Sequence, residues 1–247
     1  MIRITPYKIP SYSRKSSDDK GHVSFSSNQI GVSKFSPVNL SLLKTQDSSL
    51  SWVKDANLLS SLDSLAHLNF DEKDVKYVQS MGVVLPFLSG QEAVKFIKDS
   101  NIRVKFATLP TVNTHAQYDF ENNDILINDL YKDTNNPAEI LAISEAILHE
   151  AGHAKDKDGA STVQEEIECL SLNALSHRAL SKKHPNIFEN QNSLIIKDGV
   201  CVYADLFFDE DPSKVRLVKR LQQKYGQLPA GDFKHPPTGL AYRVKNS

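Results

Sequence analysis

In His149-Glu150-Ala151-Gly152-His153, two imidazoles and a carboxylate fall within five consecutive residues. Residues four apart differ by about 40° around a helix axis, so both imidazoles leave the same face if the segment is helical. Zinc takes nitrogen ligands at about 2.0–2.1 Å, and such a pair reaches one ion without bending the backbone. Glu150 then stands beside the ion rather than on it, where its carboxylate accepts a proton from a metal-activated water. A structural metal site has no use for such a base, so hydrolysis is the expected chemistry.

A hydrolytic zinc needs a third protein ligand and one open position. In one known arrangement a glycine and a third histidine lie three and six residues past the second histidine. Asp156 and Gly159 stand there instead, which excludes it. Asp156, Asp158, Glu165, Glu166 and Glu168 remain. Asp156 and Asp158 fall in the polar stretch that ends the helix, where turn chemistry accounts for them. Thr162-Val163-Gln164-Glu165 matches a capping box, which would turn Glu165 back to the helix start. Glu166 borders the stripe Val163, Ile167, Leu170 and Ala174, the face expected to pack on the motif helix, and Glu168 projects away from it. Glu166 is therefore the expected third ligand to one Zn2+ per chain, with Glu165 in reserve. The bland alternative for all three glutamates is an acidic first turn favoured by the helix dipole. The oxyanion formed in hydrolysis needs a donor. His235 is the first candidate, with Tyr203, Tyr225 and Tyr242 behind it, although a loop histidine beside two prolines needs no such role.

The elements that must position these groups are partly legible. Leu58, Leu59, Leu62, Leu65 and Leu68 recur at helical spacing, and further helices are expected near 71–81 and 91–99. Ile102–Phe106, Ala116–Phe120 and Asp124–Asn128 read as short strands, the last two joined through Glu121-Asn122-Asn123-Asp124, which has hairpin chemistry. A small, mostly antiparallel sheet is expected. Thr134-Asn135-Asn136-Pro137 then supplies cap candidates and a first-turn proline for a long helix, apolar on more than one side and hence central, which carries the motif. Gly152 in it would allow close approach to the sheet. A further helix is expected from Ser161 or Thr162 to about Ser181. Residues 194–208 suit either a hairpin about Lys197-Asp198-Gly199 or a helix. Asp211-Pro212 caps a helix ending at Tyr225, with Lys214, Arg216, Lys219, Arg220 and Lys224 as a solvated face, and 231–247 reads as loop. The fold class is α+β, a small sheet packed on the motif helix with additional helices.

The chain has 247 residues, 40% hydrophobic and 24% charged, ordinary for a globular protein with a core. Its net charge of −1 gives no footprint for nucleic acid. No apolar run approaches a membrane span, and the start lacks the apolar centre of a secretory signal. Residues 11–51 hold 13 serines in 41 positions without apolar periodicity, so residues 1–51 read as disordered. Residues 52–247 then form a single domain with its centre at about 102–180. Cys169 and Cys201 sit among apolar neighbours and read as buried thiols, which suits a reducing, cytoplasmic setting.

His149-Glu150-Ala151-Gly152-His153-Ala154, followed by Glu166-Ile167-Glu168-Cys169, resembles the gluzincin branch of zinc metallopeptidases, in which a Glu-x-x-Ala segment supplies the third ligand. Cys169 stands where alanine is usual, and Leu170 where an acid or amide is common. His235-Pro236-Pro237-Thr238 is similar to a segment of the HtpX and CAAX-prenyl-protease type, and the Glu-x-Glu segment is similar to ImmA-type peptidases that act on repressors. The resemblance covers about Ile102–Leu180. It implies a zincin fold, peptide-bond hydrolysis and a peptide or protein substrate lying extended along an edge strand, Ala116–Phe120 or Ile102–Phe106. The competing reading is a metal-binding pseudo-peptidase that serves as an interaction or regulatory module. A third is a secreted effector, whose export signals the serine-rich start resembles.

Overall fold

A computed structural model describes residues 50, 52–209, 211 and 213–247. The expectation of disorder over 1–51 lies outside the described residues, Leu50 aside, and so does the environment of the Cys201 side chain. Three helices come first: α1 (Ala56–Ala66), α2 (Glu72–Ser80) and α3 (Gly90–Asp99). Asp55, Asp71 and Ser89 start them, each side chain accepting from a backbone N–H of the first turn. Leu58, Leu62 and Leu65 form the buried stripe of α1 that the leucine spacing predicts.

The strands β1 (Arg103–Ala107), β2 (Ala116–Asp119) and β3 (Asp124–Asn128) form one sheet in the order β1-β3-β2. β2 and β3 are the expected antiparallel hairpin, with Asn123 in the left-handed region at φ 55°. β1 runs parallel to β3, so the sheet is mixed rather than mostly antiparallel. The reason is the connection. After β1 the chain passes the place of β3 to build the far edge first, and the hairpin then returns β3 between the two. Arg103 and Lys105 both pair with the buried carboxylate of Asp124, each at 2.6 Å, which fixes the β1–β3 register.

Asn136 caps α4 (Pro137–Asp156), and Thr162 caps α5 (Val163–Lys183). The two pack antiparallel: Glu145 meets His177, His149 meets Asn173 and His153 meets Glu165. Residues 194–208 are helical, a π-helical turn (Ile195–Val200) running into α6 (Cys201–Phe208), so the hairpin alternative is discarded. α7 (Val215–Tyr225) and α8 (Gly239–Asn246) follow. α8 corrects the expectation of a loop over 231–247: Leu240, Ala241 and Val244 are buried at helical spacing. Lys214 also departs from the solvated face, being buried with its ammonium over the Tyr77 ring.

Apolar packing falls into two groups. One joins α1, α3, the sheet and α4 through Leu62, Ile97, Ile127 and Leu141. The other joins α5 to α8 through Ile167, Leu175, Phe207, Leu221 and Leu240. The polar faces of α4 and α5 meet along the seam between them. Among the described residues, no helix is long and apolar enough to cross a membrane.

Candidate metal centre

α4 holds His149 and His153 on one face, as their spacing requires, and α5 lies across from them. The approach is close because residue 152 is glycine. A Cβ there would stand 2.6 Å from Cys169 Sγ, so Gly152 admits the facing helix rather than the sheet. The two Nε2 atoms are 3.2 Å apart. Ligands at about 2.0–2.1 Å around a tetrahedral ion lie about 3.3 Å from one another, so the spacing suits one zinc. Glu166 faces the pair with both oxygens, Oε2 at 3.9 Å from His149 Nε2 and Oε1 at 3.8 Å from His153 Nε2.

The far sides of the rings are held as well. His149 Nδ1 lies 2.6 Å from Asn173 Oδ1, and His153 Nδ1 lies 2.6 Å from Glu165 Oε1. Both partners are acceptors, so each Nδ1 carries a proton, and the two Nε2 atoms face one shared point. Outer hydrogen bonds of this kind accompany histidines that ligate metal. Burial and the charge of His153 lower the His149 imidazole to about 3. Burial alone would lower His153 too. The Cys169 sulfur beside the ring, the hydrogen bond the ring gives Glu165 and the Glu166 charge outweigh it and raise that ring well above its ordinary value. The positive charge of the pair therefore sits on His153, whose Nε2 proton a bound cation would displace. The donor set fits zinc.

Cys169 Sγ also belongs to a compact group with the two imidazoles, the donor atoms within 4.8 Å of one another. Burial pushes its thiol up to about 12, so it stays protonated, and it lines neither lobe of the cleft described below. Glu166 does line the cleft.

Glu150 is buried, and its Oε2 accepts the backbone N–H of Tyr118 in β2 at 2.8 Å. Burial, opposed by the charge of His153 and aided by Glu166 and Glu165, raises its carboxyl to about 7. The cleft in front of it has two lobes. One, of about 390 Å³, takes in Tyr118, Phe120, His153 and Glu166. The other, of about 250 Å³, takes in His115, Leu170, Tyr203 and Tyr225. Thr114, Ala116, His149 and Glu150 border both, so the candidate centre lies between them and β2 runs along them.

The remaining predicted residues are elsewhere. His235 is not among the cleft-lining residues. Its Nε2 is 3.2 Å from Asp156 Oδ1 and its Nδ1 is 3.1 Å from Glu168 Oε2. Asp156 also meets Lys234, and Asp158 accepts from the Ala160 backbone. Tyr203 and Tyr225 border the smaller lobe, and Tyr225 hydrogen-bonds Glu166; Tyr242 is exposed on α8. Sequence reasoning missed Asn173, the Tyr118 amide and Lys224, and gave Glu165 a different task. Asn173 lies seven residues past Glu166, two helical turns along the same face, which is a readable signal. For the Tyr118 amide and Lys224 there is none. Comparison with family models, curated proteins and solved structures finds no match to the chain.

Proposed function

We propose that this chain is a zinc-dependent peptidase that hydrolyses peptide bonds with Glu150 as general base. The observation that carries the reading is the convergence of the two Nε2 atoms and the Glu166 carboxylate on one point, with each Nδ1–H engaged behind its ring. When bound, the cation supplies Lewis acidity to the attacking water and to the scissile carbonyl. His149, His153 and Glu166 would hold it. Glu150, steadied by the Tyr118 amide, takes the proton from the water and delivers it to the leaving amine. A substrate strand adds to the outer edge of β2. There the Tyr118 N–H faces Glu150 while the His115 carbonyl faces β3, and strand alternation sets the Ala116 backbone outward with Tyr118. Tyr225, beside Glu166 in the smaller lobe, is the donor placed for the oxyanion, in preference to His235. The free thiol of Cys169 suits a reducing, cytoplasmic setting.

Glu150→Gln tests the base. The variant should still bind one zinc per chain and lose hydrolysis of a peptide library by about 10²–10⁴-fold. Turnover equal to the parent protein removes Glu150 from the mechanism. A second reading, a closed metal site in a non-catalytic interaction module, is favoured by the position of Cys169 beside the imidazoles. Cobalt-substituted protein separates the two: a sulfur-to-cobalt charge-transfer band supports the closed site, and its absence supports the open one.

A further inference from the structure

The smaller lobe has a composition of its own. Its floor is buried and largely apolar, with Ala146, Leu170 and Ile195, and it ends at Tyr203. The Tyr203 hydroxyl is buried and completes no hydrogen bond among the described residues, although Arg220 and the Tyr225 hydroxyl lie beside it. Lys224 stands at the rim. Its Nζ is 5.5 Å from the centre of the Tyr203 ring and 5.0 Å from that of Tyr225, so the ammonium lies over the aromatic wall. The carboxylate whose charge acts on it is Glu166, which the metal reading assigns to the cation. With Glu166 so engaged, the lobe presents an ammonium and a phenol O–H, and the carboxylate left on its border is Glu150, which the peptidase reading assigns to the attacking water.

Strand direction tells which part of a substrate enters. β2 runs from Ala116, which borders both lobes, to Tyr118, which borders only the larger one. A peptide adds more stably antiparallel than parallel. Its amino-terminal part then lies in the larger lobe, and the residue after the scissile bond enters the smaller one.

We propose that the smaller lobe receives the side chain on the carboxyl side of the cleaved bond, and that Lys224 and the Tyr203 hydroxyl select Asp or Glu there. This rests on the peptidase reading. Lys224 is exposed at the rim, and its ammonium held over the aromatic wall separates a carboxylate from its amide isostere by the charge alone, while the apolar residues Ala146, Leu170 and Ile195 treat the two alike.

The test uses the full zinc-loaded chain and matched peptides that carry Glu or Gln after the scissile bond. The Glu peptide should be cleaved with about tenfold higher kcat/KM. Lys224→Met should erase that margin while sparing the Gln peptide, and Lys224→Glu should move the preference to Lys or Arg. Equal cleavage of the two peptides, or equal losses on both in Lys224→Met, overturns the proposal. Binding of the same peptides to zinc-loaded Glu150→Gln protein, read by fluorescence anisotropy, separates this from the hydrolase reading. Tighter binding of the Glu peptide that depends on Lys224, with no cleavage by the parent protein, would sink the peptidase and leave the acidic pocket standing. Equal binding of the two peptides would sink the pocket.

Discussion

Which nitrogen of an imidazole carries the proton decides whether it can hold a cation, and here one amide decides it for His149. Asn173 Nδ2 points to the Glu145 backbone carbonyl at 3.4 Å, which leaves Oδ1 to face the ring. Asn173→Leu should lower zinc affinity by about 10–100-fold, measured by competition with a chromophoric chelator, while Asn173→Asp keeps an acceptor and most of the affinity. Equal affinities in the two variants would show that the ring is set by something else. In the same assay Glu166→Ala should lose far more than Glu165→Ala, because the first removes a donor and the second only the prop behind His153. Parity between them would move the third ligand away from Glu166. That the motif histidines and Glu166 face one another was legible from residue type and spacing. The task of Glu165 was half legible: Thr162 Oγ1 does accept its backbone N–H at 3.1 Å, as a capping box predicts. The Glu165 carboxylate goes instead to His153, because a buried ring N–H without an acceptor costs more than an amide that a turn can satisfy.

Helices and strands were readable wherever their own periodicity fixes them, and much less so where a neighbour decides. The alternating residues of β1 are compatible with either strand direction, and only the crossing connection makes its pairing with β3 parallel. Asp124 reports on that pairing. Burial would raise its carboxyl, but hydrogen bonds and charge from Lys105 and Arg103 outweigh it and hold it below the ordinary aspartate value. A group with a depressed folded pKa contributes stability above its unfolded pKa, here about 3.9, and loses it as pH falls through the folded value. Acid titration followed by circular dichroism should therefore show unfolding below about pH 4 that is less steep in Asp124→Asn. Identical acid limbs would mean that the pairing adds nothing. The α4–α5 contact has its own probe. Gly152→Ala places a methyl 2.6 Å from Cys169 Sγ and should cost about 1–3 kcal/mol in chemical denaturation. Cys169→Ala in the same chain should recover much of the loss, and no recovery would locate the clash elsewhere.

Across the whole molecule, the carboxyl-terminal segment acts on the site without touching it. Pro229 and Ala230 carbonyls accept the Val163 and Gln164 amides at the start of α5, one turn from Glu165 and Glu166. His235 joins Asp156 at the end of α4 to Glu168 on α5. α8 then docks on the end of α2, where Leu240 donates to the Met81 carbonyl and Gly239 sits at φ 45°. Gly239→Ala would set a Cβ 2.1 Å from that carbonyl oxygen and should destabilise the fold by about 1–3 kcal/mol, read as a lower denaturation midpoint. An unchanged midpoint would show that the docking is loose. None of these ties is written locally in the sequence, because each joins residues far apart along the chain. They also set an order of events during synthesis. The histidine pair leaves the ribosome well before the residues that clamp the two helices, so a nascent chain has both imidazoles in the open while their carboxylate partner is still unanchored. The tie that His235 makes between the end of α4 and α5 therefore forms only after translation has passed the His235 codon.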